Sequence, residues 1–197
     1  MLVLTGVSGR RRTAKAARAE AKAILGAHGG IGLPALADAW SRTRFRSPYL
    51  RNALWSEGYA SDTLETATDW AHVPGLLAKL EAALGAALRP WNERVHVFTH
   101  LSHLYPSGSS LYVTYIFRLA IDPDETMARW RALKAAASQA IVADGATISH
   151  HHGVGVDHAP YLAAEKGPLG MAALEAVART FDPDGMMNPG VLLARGP

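Results

Sequence analysis

Residues 94–119, RVHVFTHLSHLYPSGSSLYVTYIFRL, are two runs rich in β-branched and aromatic side chains, parted by Tyr105-Pro106-Ser107-Gly108-Ser109. Runs of this composition and length favour strands, and Pro and Gly set among serines favour a tight turn, so the stretch reads as an antiparallel hairpin of Arg94–Leu104 and Ser110–Leu119. Outward on the C-terminal side, Pro123-Asp124-Glu125 opens a helix to about Val142, with acids in its first turn, where the helix dipole favours them. Met127, Trp130, Leu133, Ala137 and Ile141 share its inward face. On the N-terminal side, Val73–Ala87 is amphipathic, with Leu76, Leu77, Leu80 and Leu84 inward and Asp69 as a candidate cap. A hairpin between two helices, each with one apolar stripe, implies an α+β fold in which an antiparallel sheet is covered by helices on one face.

Further out the pattern is weaker. Leu2 to Val7 reads as a short buried strand, Thr13–Ala27 as a helix with Ala17, Ala21, Ile24 and Leu25 on one face, and Leu33–Trp40 as a short helix. RTRFRSPYLR at Arg42–Arg51 reads as extended or turning around Pro48, because a proline disfavours helix in the residue before it. Asp144-Gly145 ends the long helix, Thr147–Ser149 reads as a short strand, and Leu169–Thr180 is the last helix. The expected order is β, α, α, β, β, α, β, α.

With 197 residues, 49% of them hydrophobic and 19% charged, the chain can bury a core of ordinary size, and residues 1–197 are expected to form one domain. The net charge of +3 gives no general reason to expect nucleic acid or an acidic membrane, but residues 1–51 hold ten Lys or Arg against two acids. A solvated basic face is the ordinary reading of that excess, and a non-catalytic module holding a polyanion or a partner is the alternative function of a different class. The absence of Cys excludes disulfides, thiolate ligands and a Cys nucleophile. Apolar runs such as Leu119–Ile121 are far short of the roughly 18–20 residues of a membrane span, and Arg10, Arg11 and Arg12 follow the apolar start where a signal peptide has its charges first, so a cytoplasmic protein is expected.

Histidines are the unusual feature. His96, His100 and His103 have helical spacing for a metal site, but they lie in the first strand of the hairpin, where His96 and His100 share a face and His103 is expected to point the other way. His150-His151-His152 precede Gly153-Val154-Gly155. Neighbouring side chains on a strand cannot converge on one ion and no carboxylate is suitably spaced, so no metal is expected. Imidazoles that donate, accept and exchange protons near neutral pH are expected instead, beside glycines that let another group approach the backbone.

Four stretches, in this order along nearly the whole chain, carry a resemblance: RFRSPYLR at Arg44–Arg51, SHLYPSGSSLYVTY at Ser102–Tyr115, SHHHGVG at Ser149–Gly155 and FDPDGMMNPGVLL at Phe181–Leu193. Together they resemble the C-terminal part of FAD-linked oxidases of the vanillyl-alcohol-oxidase superfamily, and within it the alkyldihydroxyacetonephosphate synthases. The resemblance implies an α+β cap domain with ferredoxin-like elements, closing over an FAD held by a separate N-terminal domain or a partner polypeptide. Gly26–Gly32 (GAHGGIG) follows a helical pattern and not a strand, so it does not supply the dinucleotide turn.

The implied activity exchanges an acyl for an alkyl group on dihydroxyacetone phosphate, in ether-lipid synthesis, and the cap of a 2-hydroxy-acid dehydrogenase is the alternative enzyme. By the same resemblance Tyr112 is the catalytic acid/base, His150, His151 and His152 are its essential partners, and Arg51 binds the anionic part of a lipid-like or hydroxy-acid substrate. Gly153, Gly155 and Asn188 are the expected contacts with the cofactor, and a homodimer is one option for assembly. Pro106-Ser107 and Val156 depart from the synthase pattern, whereas His-His-His-Gly departs from the Gly-Glu-His-Gly of the hydroxy-acid dehydrogenases.

Overall fold

A computed structural model describes residues 3–193 and divides the chain into two compact units, up to Arg51 and from Asn52 onward. In the first, α1 (Arg11–Ala27) is followed by α2 (Pro34–Thr43), a 3₁₀ turn (Arg44–Tyr49) and the start of α3 (Leu50–Ser56). No residue of α1 or α2 is buried. Residues 3–7 are irregular and exposed where a buried strand was expected, because no described strand pairs with them; Leu2 of that expectation lies outside the described residues. The segment expected to be extended around Pro48 is instead helical: Pro48 lies inside the 3₁₀ turn, which runs on directly into α3. Within it the Arg44 guanidinium lies over the rings of Phe45 and Trp40, at 4.5 and 5.5 Å.

The second unit carries the sheet. The hairpin forms as expected, β2 (Val95–Leu104) and β3 (Gly108–Arg118), and it is joined by a strand that periodicity did not reveal, β1 (Tyr59–Asp69). All pairings are antiparallel and the spatial order is β1-β3-β2. Helix α4 (Val73–Ala87) links β1 to β2, and α5 (Pro123–Ala143) follows β3, capped by the Asp122 side chain, which accepts the Asp124 amide at 3.0 Å. β1-α4-β2-β3-α5 in this order is the ferredoxin-like arrangement up to its last strand. Where that strand would run beside β1, Thr147–His150 follows the edge irregularly: the Thr147 amide donates to Ala67 O and the His150 amide to Glu65 O, both at 3.3 Å. The short strand expected at Thr147–Ser149 is thus an edge contact, steered away by Glu165 of α6 (Ala159–Phe181), whose carboxylate takes the Ile148 amide at 2.7 Å.

Pleating sorts the sheet into two faces. Leu111, Val113, Tyr115 and Phe117 of β3 pack with Leu76, Leu80 and Leu84 of α4 and Leu133, Ala137 and Ile141 of α5, all buried. Each large side chain buried here contributes about 1.5–3 kcal/mol. Met127, expected inward, is exposed; Arg129 is buried instead, its charge held by Glu125 at 2.6 Å and its Nη1 donating to the Arg118 carbonyl at 3.1 Å. Among the described residues of the second unit no helix lies across the other face of the sheet, and it is the face that carries the unusual side chains.

Candidate active site

The register aligns His100, Tyr112 and Glu65 in one row across β2, β3 and β1 on the helix-free face. At the hairpin end of that row β2 departs from regular pairing: Leu101 faces Leu111 and Leu104 faces Ser109, leaving Ser102 and His103 opposite Ser110 alone. This bulge overturns the strand parity expected for His103. Ser102 Oγ donates to Glu65 Oε1 at 2.8 Å and His103 Nδ1 lies 3.3 Å from the same oxygen, so both residues serve the site. The Ser110 hydroxyl sits 2.7 Å from Ser102 Oγ and takes the His103 amide at 3.0 Å, which fixes the bulge from the opposite strand.

The histidine triple arrives from the edge of β1. His151 adopts φ +59°, a left-handed conformation that costs a non-glycine residue energy, and it breaks the alternation that would have sent the three imidazoles apart. His150 Nδ1 lies 3.2 Å from Glu65 Oε1, and His152 Nε2 3.5 Å from Oε2. The rings of His150 and His151 meet edge to face with centroids 4.3 Å apart, and the His103 ring lies tilted against His151 with centroids 4.5 Å apart. Tyr105, from the hairpin turn, places its hydroxyl 3.0 Å from His150 Nε2 and 3.3 Å from His151 Nε2.

Glu65 is the centre of this cluster and escaped the sequence reading. Its side chain is only 3% exposed. Burial alone would raise its carboxyl, but hydrogen bonds from Ser102, Ser110, His150 and His103 outweigh that and hold it below the usual glutamate range. The signal that could have found it is an acid alternating with Leu64 and Thr66 in a Thr-rich run, on the face opposite that leucine.

Tyr112 sits beside the cluster. Its hydroxyl donates to Thr63 Oγ1 at 3.3 Å, and its ring meets His152 edge-on with centroids 6.3 Å apart. Gly153 and Gly155 do not use positive φ; His151 does so in their place, and a Cβ on either glycine would meet nothing within 4 Å. The Leu192 amide donates to Val154 O at 3.2 Å, which brings the Asn-Pro-Gly stretch, with Asn188 at φ +47°, to the same loop. Arg51 is exposed on α3, at the end of the first unit. His96 and His100 are exposed on the helix-free face.

The donor set can do two things. Ligand-capable nitrogens of His103, His150 and His151 all lie within 4.8 Å of one another, a spacing that could hold a cation. Both ring nitrogens of His150 are, however, already hydrogen-bonded, to Glu65 and to Tyr105. For FAD, the helix-free face offers a half-buried strip of Tyr112, Thr114 and Ile116, flanked by imidazoles and by the open space over Gly153 and Gly155, which fits one side of a flat ring system. Gly26–Gly32 begins in the last turn of α1 and follows no strand, so it does not form a pyrophosphate turn.

Comparison with known proteins agrees with this architecture. Alkyldihydroxyacetonephosphate synthases of Trypanosoma brucei brucei and Dictyostelium discoideum are 24% and 25% identical over 100% and 98% of this chain, which covers 32% and 31% of their length. A D-2-hydroxyglutarate dehydrogenase of Stutzerimonas stutzeri is 25% identical over 72% of the chain, covering 31% of its own length. A solved structure of an alkyldihydroxyacetonephosphate synthase superimposes with a TM-score of 0.63 at 18% identity, over 92% of this chain and 30% of that one, and so has the same fold. The chain thus spans about a third of the length of the curated relatives it matches. The family model described as FAD linked oxidases, C-terminal domain, matches residues 1–192, and the chain belongs to that family.

Proposed function

We propose that this chain is the substrate-side, proton-handling part of a cytoplasmic FAD-dependent enzyme that exchanges the acyl group of an acylated dihydroxyacetone phosphate for a long-chain alcohol, as in ether-lipid synthesis. The observation that carries the reading is the gathering of Tyr112 and His150–His152 around one buried carboxylate on the helix-free face of the sheet. Bound FAD, held mainly by a part of the enzyme outside these residues, would supply the electron sink.

The chain's own residues would do the rest. Tyr112 would move the proton of the substrate carbon beside the ketone, His152 at its ring edge would favour the charged form that appears, and Arg51 would hold the phosphate, for which a guanidinium fork is suited. Gly153, Gly155 and Asn188 would line the approach to the flavin ring, and the histidines would act as hydrogen-bonding groups without a metal.

The test is an assay of the enzyme completed with its flavin-holding part. Release of fatty acid coupled to alcohol incorporation, with no net redox change and no sensitivity to chelators, is expected. Tyr112→Phe should lower turnover by about 10²-fold or more while leaving flavin absorbance intact. Oxidation of a 2-hydroxy acid without exchange would assign the chain to the alternative suggested by its dehydrogenase relative.

A further inference from the structure

We propose that Tyr105 is a second proton-exchanging hydroxyl of this site, poised by a Glu65–His150 pair in which Glu65 is the positioning residue. The inference rests on the function proposed above for the face, and names a group there to which the sequence pattern assigned no role.

The hydrogen bonds set its direction. A carboxylate can only accept, so the 3.2 Å contact between Glu65 Oε1 and His150 Nδ1 puts the imidazole proton on Nδ1. A neutral imidazole has one N–H, so Nε2 is left as a lone pair, and it faces the Tyr105 hydroxyl at 3.0 Å. The Tyr105 O–H therefore donates to His150, and its oxygen accepts Nε2–H of His151 at 3.3 Å. These assignments follow from the network as a whole. An acid that fixes the tautomer of a base, which in turn receives a hydroxyl proton, is the general arrangement for activating an oxygen.

The hydroxyl is held from its backbone as well. The Tyr105 amide donates to Gly108 O at 2.8 Å, and Trp70 Nε1 donates to Tyr105 O at 3.1 Å. Tyr105 is 40% exposed, so a bound molecule can reach it, whereas Glu65 beneath is closed to solvent.

The step balances as a proton transfer. A bound molecule gives a proton to the Tyr105 oxygen, the Tyr105 O–H bond breaks and an N–H bond forms at His150 Nε2. The resulting imidazolium lies against the Glu65 carboxylate, which stays ionised. No electrons move, and the reverse step returns the proton.

The test reads His150 first, by long-range ¹H–¹⁵N correlation on the ¹⁵N-histidine-labelled protein at neutral pH. The Nδ1–H tautomer is expected in the wild type and, with Glu65 still in place, in Tyr105→Phe, and loss of the Nδ1–H preference in Glu65→Ala; if the alanine variant does not fold, Glu65→Gln, which keeps only a neutral acceptor, should weaken that preference. An Nε2–H tautomer in the wild type overturns the proposal whatever the protein catalyses. In the flavin-loaded enzyme, Tyr105→Phe should lower kcat by about 10²-fold with KM little changed. Near-normal kcat in that variant overturns the role of Tyr105 while leaving the proposed function standing. Absence of exchange in the wild type overturns the function and leaves the tautomer to judge the pair.

Discussion

Glu65 is the side chain on which the site turns, because one buried carboxylate collects hydrogen bonds from two strands and a loop. Removing it takes away the acceptor that Ser102, His103 and His150 share, and Glu65→Ala should cost about 1–3 kcal/mol, read as a lower urea midpoint at neutral pH. The same carboxylate makes stability depend on acid. Its folded pKa is depressed below the ordinary 4.5, so the unfolded chain takes up a proton first as pH falls. The stabilisation is complete above that unfolded value and is lost as pH drops through the lower folded one. Between about pH 5 and pH 3 the wild type should therefore lose stability more steeply than Glu65→Gln; equal slopes in urea titrations would deny Glu65 that share.

Among the elements, those that bury a regular stripe were legible in the sequence. The Leu76, Leu80, Leu84 period gave α4 its bounds, and the alternation Leu111, Val113, Tyr115, Phe117 gave β3 its buried face. β1 was hidden because LETATD pairs one leucine with polar residues that elsewhere would make a loop; its partner β3 makes it a strand. Leu2–Val7 misled for the converse reason, since an apolar run becomes a strand only where another edge accepts it. The histidine triple was legible as chemistry, but its convergence was not, because a left-handed residue and a bulge are tertiary choices that residue types do not announce. One glycine tests the β1–β3 pairing. A Cβ at Gly108 would lie 2.1 Å from the Thr68 carbonyl oxygen, so Gly108→Ala should push β1 away from the hairpin and cost more than the roughly 1 kcal/mol of an ordinary glycine replacement. A thermal midpoint unchanged in that variant would contradict the register.

At the scale of the whole molecule, the core lies entirely in the second unit, among residues from Ala60 to Leu174. Elsewhere large apolar side chains stay exposed: Ile31, Phe45 and Tyr49 in the first unit, Leu169, Phe181 and Met186 in the second. The chain covers about a third of its relatives' length. On the proposed function these side chains meet the flavin-holding part. No helix among the described residues is long and apolar enough to cross a membrane. On the proposed function FAD is held mainly by another part of the enzyme, so the chain purified by itself should retain no FAD; a stoichiometric yellow chromophore in that preparation would refute the expectation.

His151 shows what the convergence of imidazoles demands of the backbone. A histidine held at φ +59° keeps its ring in the cluster at a conformational expense that a glycine would not incur. His151→Gly should therefore melt about 2–4 °C higher than the wild type while losing catalytic rate. Selection for thermal robustness alone would drift toward glycine at this position, and a histidine retained there would be a mark of selection for turnover.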